Sequence, residues 1–403
     1  MTGLIAACGD SSSDTEEEIT QNSAPDCEVS QLSFSQNSGD KDLRAAITCS
    51  DIDGDTLEFD NLIIDTNNLA VGSHIQTVNV SDGNDHTISV SVTYQITSAD
   101  EPNEDVSRCM QIQNSVKASP EDDVTVICDS QYAYITSDTY PSHNLMNGIT
   151  GTNEQVPVPA LNYAAPIPLN PVEASSVTSI DAAVGVAVNG VPIYDYSAQG
   201  ELDVNKYEPK SDTIVLGQLD NCGGHAGRGD DYHYHAAPTC MMDEMTDQSD
   251  DRILGWGYDG YPLYGYKNPD GSDIVDGDLD VCNSQIDSTF GRRYQLTLTP
   301  PYIIQCLVGE VDTNILPRVS PLAGTSGSND RADLTPPPEG VENLSFVESA
   351  DGTRTMRYEY KGQSYFTSYT PSVNQENCYS FEMKTISGNG QTQTGVYCRE
   401  NKP

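Results

Sequence analysis

The chain has 403 residues and a formal net charge of -42, from 61 acidic and 19 basic side chains. Such a field repels nucleic acid and anionic headgroups, which sets aside phosphate-backbone binding as a function. The length allows two or three domains, and an apolar fraction of 36% is low for one large core.

In chain order, Leu4-Ile5-Ala6-Ala7-Cys8, followed by Gly9-Asp10 and three serines, resembles a bacterial lipobox and its polar tether. The resemblance implies lipidation at Cys8 and a membrane as partner through that lipid. The basic and apolar regions of a full signal would then lie upstream of Met1. Residues 1–24 read as truncated signal and disordered tether, rich in Ser, Asp and Glu.

Residues 25–99 read as a small β-sandwich. Ile88, Val90, Val92 and Tyr94 alternate within Thr87–Tyr94 and predict one buried strand face. Ser81–Asp85 supplies a turn before that strand. The segment resembles the immunoglobulin- or cadherin-like modules of bacterial surface proteins. Its acidic turn, with Asp51, Asp53 and Asp55 alternating, is a candidate calcium site; an acidic turn without an ion is the competing reading.

Residues 100–105 read as a linker, 106–318 as the main domain, and 343–403 as a small β tail after a Gly-, Ser- and Pro-rich connection. The fold class is therefore mainly β. Ten of the 11 cysteines fall into neighbouring pairs: Cys27 with Cys49, Cys109 with Cys128, Cys222 with Cys240, Cys282 with Cys306, and Cys378 with Cys398. Sequential pairing predicts a disulfide framework in an oxidising compartment, although spacing alone leaves other connectivities open. Cys8 is the one left over.

The main domain repeats itself, with halves near 185–240 and 255–306. Gly185–Tyr196 matches Gly255–Tyr266, each with an Asn-Gly or Asp-Gly turn between apolar strands. Leu219-Asp220-Asn221-Cys222 matches Leu279-Asp280-Val281-Cys282. The histidines do not repeat: Gln285 stands for His225, and Tyr294-Gln295-Leu296-Thr297 is the apparent counterpart of Tyr232-His233-Tyr234-His235. Cysteines that persist where histidines are lost are better explained as disulfides than as metal ligands.

Three of the six histidines fall between positions 225 and 235. Alternation on a strand puts His233 and His235 on one face and Tyr232 and Tyr234 on the other. With His225 on a Gly-rich loop, they form a candidate three-nitrogen metal site. Asp220, Asp230 and Asp231 are candidate partners for the imidazoles, as are Tyr232 and Tyr234. Arg228-Gly229-Asp230 matches an integrin-recognition tripeptide and is read as coincidence.

Cys222-Gly223-Gly224-His225, Tyr232–His235, the paired hairpins and Pro301–Cys306 together resemble the YHYH domain family over roughly residues 125–310. The resemblance implies an extracytoplasmic location but no established activity. It also points to Pro141-Ser142-His143, making His143 a fourth candidate ligand. Histidines without thiolate suit one transition-metal ion, copper or zinc. Three functions stay open: metal binding or delivery by a lipid-anchored cell-envelope protein, a metal-dependent hydrolase or oxidase, and a structural or adhesive surface protein without metal. No protein partner is readable.

Overall fold

The computed structural model describes residues 22–399, apart from 37, 98–107, 153, 199, 201, 289, 325–336 and 338. Cys8, most of the expected tether and the linker at 100–105 lie outside the described residues. The fold is mainly β, in two compact units divided between Ser107 and Arg108. Among the described residues, no helix is long and apolar enough to cross a membrane. All five sequential disulfides form. Each closes a loop of 18 to 24 residues, a size at which loop closure contributes roughly 3 kcal/mol in the chain-entropy picture. Together they fit an oxidising compartment.

The first unit carries a four-stranded sheet, ordered Leu32–Ser35, Thr87–Thr97, Gly72–Ser81, Glu58–Asp60, beside two short two-stranded ladders. Val92, Tyr94 and Ile96 are buried while Ser91, Thr93 and Gln95 between them are not, and Ile88 and Val90 of the expected face are half-buried. They meet Val78, Val80, Leu43 and Ile47 in one apolar cluster. The acidic turn is assembled differently from expectation. Asp51 and Asp55 bring carboxylate oxygens within 4.8 Å of Asp82, not of Asp53. Asp82 arrives from the Ser81–Asp85 turn, whereas the Asp53 carboxylate turns away to accept from the Ser23 amide at 2.7 Å.

The second unit is organised by an eight-stranded sheet. Its order is Gly224–Ala226, Tyr232–Tyr234, Pro192–Ile193, Gly185–Ala187, Gly255–Gly257, Pro262–Tyr264, Gly291–Gln295, Ser284–Asp287. The list reads the same from either end, which is the duplication made visible. The halves join where Val186 pairs with Trp256. Gly190 and Gly260 hold φ of 76° and 88° in the two hairpin turns, a backbone that favours glycine.

The pairing also corrects the apparent match between halves. Ile193 pairs in parallel with Tyr234, and Leu263 pairs in parallel with Tyr294. The counterpart of Tyr232-His233-Tyr234-His235 is therefore Arg292-Arg293-Tyr294-Gln295, two residues earlier than the sequence match placed it.

The tail forms a six-stranded sheet built from Ala323–Gly324 and the five strands between Glu342 and Cys398. Met356, Tyr358, Tyr369, Phe381 and Met383 join the main apolar cluster, so the tail belongs to this unit. The buried carboxylate of Glu154 accepts from the Tyr358 hydroxyl and from the amides of Ile386 and Ser387.

Candidate metal centre

Two short strands gather the histidines. Gly224–Ala226 runs antiparallel to Tyr232–Tyr234, and His225 stands directly opposite His233. Opposed residues share a face, and His235, two positions past His233, returns to it. His225 thus comes from a strand rather than a loop. The ring centroids form a near-equilateral triangle, 4.9 Å, 5.0 Å and 4.9 Å apart. One ring nitrogen from each lies within 4.8 Å of the others, and the three residues are only 5%, 5% and 2% exposed.

Two of the three rings are tied on their outer side. His235 Nδ1 hydrogen-bonds the main-chain carbonyl of Asp195. The main chain of Gln218 bonds the His225 ring and favours its protonated form, as a carbonyl acceptor does. His233 Nδ1 lies 3.6 Å from a carboxylate oxygen of Asp231, beyond hydrogen-bond reach, and both atoms are buried with no hydrogen-bond partner. A ring that donates outward from one nitrogen keeps a lone pair on the other. Burial, reinforced by the neighbouring imidazoles, holds His225 well below the ordinary range, and burial plus His233 brings His235 down to about 3. Both are therefore neutral at pH 7, the state in which imidazole ligates metal.

Two further residues shape the site. The Tyr194 ring lies over His233 at 4.3 Å and within 5.6 Å of His235. Its only sequence signal is its place in the repeated Pro-Ile-Tyr. Gly227 backs directly onto His233: a Cβ there would sit 2.1 Å from His233 Cε1. Gly227→Ala must displace that ring. Were the three imidazoles to hold zinc, the substitution would lower its affinity about 10- to 100-fold, the scale of lost outer-shell support, with the disulfides intact. Competition against a chelator of known affinity checks this.

The other expected site residues sit elsewhere. His143 does not join the three. It approaches the tyrosine face, where its Nε2 lies 2.9 Å from the Tyr234 hydroxyl, a group that also accepts from Asn189 Nδ2 at 3.0 Å. Strand alternation separates that face from the imidazoles. Tyr232 and Tyr234 therefore stand behind the site, and Tyr232 donates to Asp220. Asp220 also caps the amides of Met146, Cys222 and Gly224, so it fixes the loop before His225 rather than a ring. The Asp230 carboxylate accepts from the Leu322 amide. It is fully buried, so Arg228-Gly229-Asp230 offers no readable surface tripeptide. Asp231 alone of the three aspartates faces an imidazole.

The second half shows what replaces the histidines. Gln285 pairs with Arg293 as His225 pairs with His233. The Gln295 amide is satisfied when its nitrogen donates to the Gly265 carbonyl at 2.7 Å and its oxygen accepts from Arg293 Nε at 3.1 Å. Gly265 stands where the first half has Asp195, so this contact mirrors the one His235 makes. Arg293, 1% exposed, reaches the Asp287 carboxylate and donates to Asn268 Oδ1 at 2.9 Å. A guanidinium cation therefore fills the second pocket.

Residues 164–276 match the model of a family described as YHYH protein. The match contains His225, His233 and His235 and supports the family expectation drawn from the motifs: the chain carries a YHYH domain. His143 and the tail lie outside the matched span. No curated protein and no solved structure matches the chain.

Proposed function

Starting from a YHYH domain that holds three buried imidazoles, we propose that the protein binds one transition-metal ion, copper or zinc, through His225, His233 and His235. Its role is metal binding or delivery outside the cytoplasm, with a lipid at Cys8 holding it to the cell envelope. One observation carries the metal reading. Three buried rings converge so that one nitrogen of each lies within 4.8 Å of the others, and burial keeps His225 and His235 neutral with lone pairs to offer. Ring nitrogens gathered around one point form the donor set that a metal cation completes. Three nitrogen ligands meet the needs of zinc or copper(II), and Asp231 offsets part of the charge. The second half agrees, since the corresponding pocket holds the Arg293 cation.

Burial argues against the enzyme reading. A catalytic metal keeps a position open to substrate, whereas here all three ligands are covered and Tyr194 lies over His233. The structural reading requires only that the histidines brace the loops, and it leaves the convergence of lone pairs unexplained.

The test is elemental analysis of protein exported to an oxidising compartment, beside a His233→Ala/His235→Ala variant. About one equivalent of copper or zinc is expected in the parent, since three ligands converge on one point, and none in the variant. Equal metal in both, or none in either, contradicts the proposal.

A further inference from the structure

We propose that Arg399, at the end of the tail, is a positioning residue for the metal centre; the inference rests on the metal-binding reading above. Arg399 is only 6% exposed, and its guanidinium acts entirely on main-chain carbonyls. Nε donates to Pro159 O at 2.9 Å, Nη1 to Ser320 O at 2.8 Å and to Gly229 O, and Nη2 to Asp230 O at 2.8 Å and to Val158 O. All five N–H donors are used. Only a planar fork with five donors can fill such a cradle; an ammonium has three.

Two of those carbonyls belong to the turn that joins the histidine strands. In that turn the Gly227 amide donates to Asp231 O at 3.0 Å and the Asp230 amide to Gly227 O at 2.9 Å. Asp230 holds a φ of 54° there, a left-handed conformation that aspartate adopts more readily than most side chains. The turn presents two of the groups that address His233 from outside, the Asp231 carboxylate and the Gly227 backbone. Arg399 is itself held: its amide donates to Asn377 O at 2.9 Å, and the preceding Cys398 is bridged to Cys378. The tail sheet, well beyond the matched span, thus fixes the turn that orients His233.

The test uses the full chain and zinc alone, with affinity read by chelator competition. Arg399→Lys keeps the charge and loses the fork, and is expected to weaken zinc binding about 10- to 100-fold. Tyr358→Phe, which loosens the same tail at Glu154 without touching the turn, is the control for general destabilisation and should bind zinc as the parent does. Cobalt(II) in the parent and in Arg399→Lys should give different visible spectra, because the ligand geometry changes. Should Arg399→Lys fail to fold, Arg399→Gln retains a planar two-donor group and is expected to weaken binding likewise. Undiminished affinity in the Arg399 variants, or equal loss in Tyr358→Phe, overturns the inference while the metal reading stands. A parent that binds no metal overturns both.

Discussion

His235→Gln is expected to make the metal-free protein less sensitive to acid than its parent. Burial holds His235 at about 3, whereas an unfolded histidine titrates near 6.5. Below pH 6.5 the unfolded chain therefore binds a proton that the native state refuses, and stability falls with pH. At about 1.4 kcal/mol per pH unit, this term amounts to roughly 3 kcal/mol between pH 6.5 and 4. Asp195 works the other way. Burial raises its carboxyl to about 6, so the native state takes up a proton first as pH falls, returning about 2 kcal/mol by pH 4.

The Asp195 term offsets most of the His235 term, and His225, depressed by the same burial, tips the site further toward acid lability. Glutamine suits position 235 because Gln295 makes the mirrored contact in the other half. The stability difference between variant and parent should therefore move by about 3 kcal/mol in favour of the variant on going from pH 6.5 to 4. Denaturant unfolding of chelator-treated protein measures it, and a difference that does not change with pH contradicts the assignment.

Arg293→Met is expected to cost 3–5 kcal/mol, the usual penalty for removing one partner from a buried charged network. The guanidinium is 1% exposed and satisfies Asp287, Asn268 and the Gln295 amide oxygen together. A thioether fills much of the volume and satisfies none of them. The melting temperature should fall by on the order of 10 °C. A loss below about 1 kcal/mol would mean that the pocket has no need of a cation, and would weaken the analogy drawn with the histidine half.

Much of this was legible in the sequence. Cysteine pairs about twenty residues apart announce local disulfides, and Tyr232–His235 announces a strand with two imidazoles on one face. The misplacements share a physical origin. A motif resemblance groups His143 with the site, yet the side from which a loop some ninety residues away approaches a sheet is set by tertiary packing. Sequence matching sets Tyr294 against Tyr232, which puts the counterpart of the histidine strand two residues out of register. Only its parallel pairing with Leu263 shows that it corresponds to Tyr234. A shift of two keeps every side chain on the same face, so alternation could not expose the error. The outer anchors of His225 and His235 are main-chain carbonyls and leave no side-chain signature. The role of Arg399 depends on five carbonyls from distant segments, again invisible in a pattern of residues.

The most direct measurement is X-ray absorption on zinc-loaded protein. Three imidazole nitrogens at about 2.0–2.1 Å, with the outer-shell scattering of intact rings and no sulfur, is the predicted result. A sulfur shell near 2.3 Å, or oxygen ligands alone, would place the metal away from His225, His233 and His235 and contradict the account.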